Sequence, residues 1–364
     1  MLVKALVYHG PGEKAWEEVP NPRIEDPADA IVRIETTTIC GTDLHILNGD
    51  VPSVEPGRIL GHEGVGVVVQ VGPGVHNIKQ GDRVIVSCIS SCGTCGYCRK
   101  GMPSHCQTLG GLGWVLGHLI DGTQAEYVRV PFADTSLHKV PDTLTNEQAV
   151  MLSDIFPTGF EIGIRYGGVQ PGDVVAVIGV GPVGLAAVAT ASLHGASKII
   201  AIGRSQPRID HALAMGADVG ISTRDPDWVE KVMAETDGLG VDVVVEAVGV
   251  PQTLEDCFEI IRPGGHIANA GVHGEAVSFP MDKLWIQNLH ISTGLVDATS
   301  TPMLLHLMEG GRLEPERMVT HRFALDDFMD AYETFANPGK TNALKVAIHR
   351  DGAAVTTDQF TYAI

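Results

Sequence analysis

Three groups of residues in this 364-residue chain have the types and spacing to do chemistry. The first is Cys40, in the run Cys40-Gly-Thr42-Asp43-Leu-His45, followed by Gly61-His62-Glu63 and by Asp154 in MLSDIFPTG. A thiolate, an imidazole and a carboxylate make a three-ligand metal site that leaves one coordination position open for water or substrate. A lone cysteine is usually a small buried apolar residue; it is the combination that carries weight. The second group is Cys92-x2-Cys95-x2-Cys98-x7-Cys106, in which Gly93, Gly96 and Gly101 let the backbone fold tightly around one centre. Four thiolates satisfy a closed tetrahedral zinc site, which stabilises a lobe and does no chemistry. A disulfide pair or an iron–sulfur cluster would use the same residues, but no Cys-Pro follows, and zinc is favoured.

The third group is Gly179-Val-Gly181-Pro182-Val183-Gly184, placed after the strand VVAVI and opening the helix VGLAAVATASL. Between a strand and a helix, this spacing marks a dinucleotide pyrophosphate lying on a helix amino terminus. An acidic residue normally closes the second strand and holds the ribose hydroxyls of NAD. Here KIIAIG ends at Gly203 and is followed by Arg204, Ser205 and Arg208. Glycine removes the repulsion of a 2′-phosphate and the arginines supply charge-assisted donors, so NADP(H) is favoured and NAD(H) is the alternative.

Two kinds of element must position these groups. Up to about residue 150 the chain reads as short β-rich runs cut by turns (LVKALVYH, AIVRIETTTI, GVGVVVQVG, GDRVIVSCI and AEYVRV), a barrel-like all-β pattern. From Pro171 the runs DVVAVIGV, KIIAIG, ADVGIS, VDVVVEAV and HIANAG alternate with helices predicted at Pro207–Met215, Trp228–Glu235 and Thr253–Ile261. That is a parallel, doubly wound sheet. Further helices are expected at Pro302–Glu309 and Asp326–Phe335 and a strand at Leu344–His349, while Arg350–Ile364 has no clear periodicity. Val174–Leu193 is uncharged and near bilayer length, but Gly179, Gly181, Pro182 and Gly184 break it, so a strand, a turn and a helix are expected and not a membrane span.

Composition excludes several classes. With 25 Lys+Arg against 44 Asp+Glu, the net charge of -19 repels nucleic acid and anionic membranes. Hydrophobic residues at 44% and charged residues at 19% describe a packed globular protein and not a disordered one. Seven cysteines, an odd number crowded into one stretch, and an amino terminus without an apolar signal segment suit a reducing cytoplasm. Cys88 and Cys257 are left as core residues.

The string GHEGVGVVVQVGPGV, residues 61–75, resembles the signature of the zinc-containing alcohol dehydrogenases of the medium-chain dehydrogenase/reductase superfamily, matching at Gly61, His62, Glu63, Gly66, Gly72 and Val75. The order of Cys-x-Thr-Asp, GHE, the four-cysteine lobe and the glycine-rich unit is similar to that family over residues 1 to 349. Asp154, where many relatives carry cysteine, resembles the bacterial secondary-alcohol and formaldehyde-dehydrogenase-like branch. The resemblance implies a GroES-like catalytic domain over residues 1–157 and 297–364, with a structural-zinc lobe at 88–107, and a Rossmann domain over 158–296. It implies two zinc ions per chain. Cys40, His62 and Asp154 would hold the catalytic one, with Glu63 an occasional or supporting ligand.

Zinc lowers the pKa of bound water from about 15.7 towards about 7, and an alcohol in its place would ionise likewise and release hydride. The family's relay implies that Thr42 takes the alcohol proton and His45 passes it on. Asp43 is placed to orient His62. By resemblance Thr158, Gly249, Ala270, Val272 and Lys345 contact the cofactor, and Trp114, Phe156 and Leu295 line a mostly apolar pocket for small alcohols, aldehydes or ketones. A homo-oligomer is implied, a tetramer over a dimer, through Ile286–Leu295 and the cysteine lobe. Two rival functions remain: a formaldehyde dehydrogenase or dismutase with a tightly held nicotinamide, and a non-catalytic nucleotide-binding or structural member of the superfamily.

Overall fold

The computed structural model describes residues 2–350, so the tail that lacks periodicity lies, after Arg350, outside the described residues. The chain forms two compact units: one runs to Asp154 and resumes at Asp297, and the other is Ile155–Val296.

In the first unit β1 (Leu2–Gly10) pairs antiparallel with β2 (Glu13–Pro20) as a separate ribbon. A larger sheet contains β3 (Ala30–Thr38), β4 (Gly64–Val71), β5 (Arg83–Val86), β6 (Tyr127–Val130) and β7 (Leu137–Lys139). The second unit contributes β8 (Val174–Ile178), β9 (Lys198–Gly203), β10 (Val219–Ser222), β11 (Val241–Glu246), β12 (Ile261–Asn269) and β13 (His290–Thr293). After it, β14 (Val319–Ala324) and β15 (Lys345–His349) return to the first unit. Its sheet order is β14-β15-β3-β4-β5-β7, with β6 also paired to β3. All these pairings are antiparallel except β14 with β15.

The second unit's sheet is parallel throughout, in the order β10-β9-β8-β11-β12-β13. Counting from β8, that is the 3-2-1-4-5-6 order of a dinucleotide-binding sheet, whose ligands sit beyond the carboxyl ends of the strands. Val175, Ala176, Val177, Ile200, Ala201, Val244 and Val245 are buried. Covering both faces explains why these strands read as continuous apolar runs, each fully buried Val or Ile contributing about 1.5–3 kcal/mol. The apparent membrane span resolves into β8 and the Pro182–Ala191 helix. Among the described residues no helix is long and apolar enough to cross a membrane.

The expected helices form at Gln206–Ala214, Trp228–Ala234, Pro251–Ile260, Thr301–Glu309 and Phe328–Ala336, each displaced by at most a turn. The ribbon strand β2, EKAWEEVP, was not expected, because its half-exposed residues carry no apolar alternation; its partner β1 defines it through the ladder.

Candidate functional site

Three chain segments bring the first group together. Cys40 follows β3 and caps the Gly41–Asn48 helix, where its N–H donates to Asp43 Oδ2 at 2.9 Å. His62 follows Gly61, whose φ of +92° and closeness to Gln124, with a Cβ falling 2.5 Å from Gln124 Cγ, leave room only for glycine. Asp154 precedes the Ile155–Thr158 turn of helix and is buried.

Cys40 Sγ lies 3.7 Å from Asp154 Oδ2, and His62 Nε2 lies 3.4 Å from the same oxygen. One donor atom from each of the three residues falls within 4.8 Å of the others. A tetrahedral zinc with ordinary Zn–S, Zn–N and Zn–O bonds needs S···O and N···O edges of about 3.6 and 3.4 Å. The donor set therefore fits zinc in type and in spacing. Burial alone would lower the His62 pKa, but Asp154 and Cys40 raise it well above 6.5. A cation among these donors replaces a proton.

Glu63 does not join the three donors. Its Oε2 accepts from Lys345 Nζ at 2.5 Å and from the Thr38 hydroxyl. Lys345 also donates to the Ile39 carbonyl at 3.1 Å and is 1% exposed, as is Glu63. Lys345, expected as a cofactor contact, is thus committed inside the first unit, and Glu63, expected as an occasional ligand, is engaged as its counter-ion. Net charge is cancelled beside a thiolate and a second carboxylate, which a buried ammonium requires.

Asp43 Oδ1 faces His62 Nδ1 at 3.9 Å, and neither atom has a hydrogen-bond partner among the described residues. Asp43 Oδ2 also accepts from Gln124 Nε2 at 2.9 Å. Thr42 Oγ1 is 3.7 Å from Cys40 Sγ, and His45 Nδ1 is 2.9 Å from Asp50 Oδ2. The two relay candidates stand three residues apart on one helix, hence on one face, and both are half-buried. The Trp114 ring meets His62 edge-on with centroids 6.1 Å apart and stacks on His118 at 4.4 Å. Phe156 is fully buried and Leu295 half-buried, both in the second unit.

The four-cysteine lobe is made of short turns, Cys98–Lys100, Pro103–His105 and Gln107–Leu109. The sulfurs of Cys92, Cys95, Cys98 and Cys106 lie within 4.8 Å of one another, with Cys95–Cys98 at 3.4 Å and Cys92–Cys98 at 4.0 Å. Tetrahedral Zn–S bonds require edges of about 3.8 Å. Backbone N–H groups of Thr94 and Cys95 point at Cys92 Sγ, and that of Gln107 points at Cys95 Sγ. Burial works against it, yet the Thr108 and Thr94 hydroxyls and these N–H groups bring the Cys92 thiol down to about 5, while burial and Cys95 push Cys98 up to about 12. Four sulfurs this close ionise together only around a cation. None of the seven cysteines forms a disulfide. Ser104 N–H and Oγ both donate to Asp297 Oδ1, at 3.1 and 2.6 Å, which ties the lobe down.

The third group lies at the carboxyl ends of the parallel strands. Gly179 leaves β8 with φ +98°, and Gly181 caps the Pro182–Ala191 helix. A Cβ on Gly184 would fall 1.8 Å from the Gly179 carbonyl, so this residue must be glycine for strand and helix to meet. Gly203 ends β9, and Ser205 caps the Gln206–Ala214 helix, with Arg204 exposed and Arg208 in the first turn. Arg208 Nη1 is the heavy atom nearest a Cβ built on Gly181, at 4.0 Å, so the guanidinium overhangs the glycine turn. Gly249 follows β11 with φ +86°, Ala270 and Val272 follow β12, and Thr158 closes the Ile155–Thr158 helix.

Glu246, at the end of β11, escaped the sequence reading. Its Oε1 accepts from the N–H groups of Val248 and Gly249 and from Thr253 Oγ1, fixing the loop that carries Gly249. Its only signal was a charge closing a buried strand.

Residues 26–142 match the family "Alcohol dehydrogenase GroES-like domain" and residues 182–309 the family "Zinc-binding dehydrogenase". An alcohol dehydrogenase from Cupriavidus necator is 40% identical, across 95% of this chain and 98% of that protein. The chain belongs to the zinc-dependent alcohol dehydrogenases. Its fold is that family's, a GroES-like domain and a Rossmann domain, and its activity is that of a zinc-dependent oxidoreductase of alcohols. Zinc dependent alcohol dehydrogenase 2 from Streptococcus pneumonia, in its apo form, is 47% identical over 97% of this chain and 100% of that one, with a TM-score of 0.92. An "NADP-dependent isopropanol dehydrogenase" from Entamoeba histolytica is 36% identical over 96% of this chain and 97% of that protein.

Proposed function

We propose that this chain catalyses reversible hydride transfer between small, largely apolar primary or secondary alcohols and NADP+, giving aldehydes or ketones. The observation that carries the proposal is the convergence of Cys40 Sγ, His62 Nε2 and Asp154 Oδ2, at zinc-ligand spacing, beside an indole face with no charged group of its own. In our reading these three residues hold the catalytic zinc and Cys92, Cys95, Cys98 and Cys106 a structural one.

Zinc held by these three residues would lower the pKa of an oxygen ligand and polarise a carbonyl. A nicotinamide cofactor held at the Gly179–Gly184 turn would supply the hydride acceptor and donor. The protein's own residues do the rest. Asp43 keeps His62 turned with Nε2 towards Asp154. Thr42 takes the alcohol proton and His45 carries it towards Asp50 and solvent. Trp114 excludes water and favours alkyl or aryl groups.

NADP preference rests on the bare Gly203 and on Arg204, Ser205 and Arg208, and agrees with the printed name of the Entamoeba relative. Gly179, Gly181, Pro182, Val183 and Gly184 take the pyrophosphate, and Thr158, Gly249, Ala270 and Val272 the nicotinamide half. A homo-oligomer, tetrameric in our reading, is supported by the open edge of β13 and by exposed Met281, Trp285 and Ile286 nearby. Light scattering of the purified protein tests it.

The deciding assay is a panel of alcohols and carbonyls run with both NADP(H) and NAD(H). A kcat/KM advantage for NADP of tenfold or more is expected; equal efficiency would remove the preference. A Cβ at position 203 would meet Val180 Cγ2 at 2.5 Å. Gly203→Asp is therefore paired with Val180→Ala, and together they should turn the enzyme towards NAD.

A further inference from the structure

Behind the candidate zinc ligands runs a buried polar chain, of which the proposed reaction uses only Asp43. Tyr332, in the Phe328–Ala336 helix, is 1% exposed and packs in an apolar cluster with Leu6, Phe328 and Ile348. Its hydroxyl donates to Gln124 Oε1 at 2.7 Å. Gln124 is fully buried, and its Nε2 donates to Asp43 Oδ2 at 2.9 Å and to the Thr38 carbonyl at 3.2 Å. The Thr38 carbonyl can only accept, so the amide nitrogen must face it, and the amide oxygen is left to Tyr332. The Tyr332 hydroxyl therefore holds the amide in the one orientation that presents a donor to Asp43.

Asp43 Oδ2 is consequently saturated by two N–H donors, those of Cys40 and Gln124, at 2.9 Å each. Its Oδ1 has no hydrogen-bond partner among the described residues and faces His62 Nδ1, equally unpartnered, at 3.9 Å. Burying an amide and a phenol costs free energy that aliphatic side chains of like volume would not. Packing alone gives no reason for them.

We infer that Gln124 and Tyr332 are positioning residues for the metal centre: they lock the Asp43 carboxylate so that it holds His62 in the tautomer and ring orientation a zinc ion needs. The inference rests on the reading of Cys40, His62 and Asp154 as zinc ligands. The four-cysteine lobe, which shares no residue with this chain of bonds, is the internal control.

The test compares wild type, Tyr332→Phe, Gln124→Met and the double variant, each loaded with zinc or cobalt(II). Metal retention at each site is followed against a chelator, together with the cobalt d–d spectrum and the melting temperature. Affinity at the Cys40 site should fall about tenfold in Gln124→Met, the low end for outer partners of zinc ligands. Tyr332→Phe should weaken it about threefold, the effect of one neutral hydrogen bond. Lobe affinity should not change, the d–d bands should shift in both variants, and the double variant should match Gln124→Met, because the hydroxyl acts only through the amide. Unchanged affinity and spectrum in both single variants would overturn the inference, as would equal loss at both metal sites. If Gln124→Met does not fold, Tyr332→Phe alone decides by the same readouts. A wild type that takes up metal only in the lobe would refute the zinc-ligand reading itself, a different and recognisable result.

Discussion

The two candidate metal centres of this chain are built on opposite plans. The lobe draws all four donors from Cys92–Cys106, on short turns, and three of those cysteines are partly exposed. The other centre draws Cys40, His62 and Asp154 from distant segments, and all three are buried. A closed site of one ligand type needs only a loop that can turn, and glycines supply that. An open site of three ligand types needs support from behind, and the buried Glu63–Lys345 pair and the chain Asp43–Gln124–Tyr332 lie there in our reading. Local construction yields stability; distributed construction yields a position kept free for chemistry.

Breaking a ligand at each centre should separate the two roles most sharply. Asp154→Ala is expected to lower kcat by 10³-fold or more and to reduce bound zinc from two equivalents to one, measured by turnover and metal analysis. Thr42→Ala should lower kcat by about 10²–10⁴-fold with both equivalents retained, and wild-type turnover there would remove it from the relay.

Cys95→Ser should do the reverse. The melting temperature should fall by many degrees as the lobe loses its cross-link, while molecules that stay folded keep the kcat/KM of wild type. Glu63→Gln tests the backing of the open centre. It strands the Lys345 ammonium and should destabilise the first unit by about 3–5 kcal/mol, read by denaturant titration.

The smallest effect is that of an ordinary ion pair that belongs to neither candidate metal site. Arg322 donates to both Glu147 oxygens at 2.6 and 2.7 Å and, with burial opposing, holds this carboxyl below its usual range. Because its folded-state pKa is depressed, its contribution is present above the unfolded pKa, about 4.3, and is lost as pH falls through the folded value. Arg322→Met should flatten the acid limb of stability against pH slightly and leave metal content alone.

What could be read from the residue string follows the same division. The lobe and the Gly179–Gly184 turn are contiguous, so spacing alone exposed them, and the parallel strands announced themselves by being apolar on both faces. Cys40, His62 and Asp154 were found because each carries a metal-binding side chain, and family resemblance joined them. The supports were not legible. Gln124 and Tyr332 lie 208 residues apart and nothing in either neighbourhood marks a buried polar residue. The burial of Lys345 against Glu63 is not legible either: resemblance offers this lysine to the cofactor, and only the fold pairs it with a carboxylate 282 residues away. Boundaries of the Pro251–Ile260 and Phe328–Ala336 helices moved because packing, and not the apolar period, decides the last turn.

The pairing of β15 with β3, through Ala347–Thr38, Ile348–Thr37 and His349–Thr36, sets an order of events during synthesis. Cys40, His62 and Asp154 leave the ribosome early, and the complete parallel sheet follows before β14 and β15 exist. The nucleotide-binding unit can fold while the nascent chain still lacks the strand that seals Cys40's sheet, the Lys345 counter-ion and the Tyr332 hydroxyl. The sheet that carries Cys40 is therefore complete only when β15 has been made, whereas all four cysteines of the lobe have emerged with Cys106.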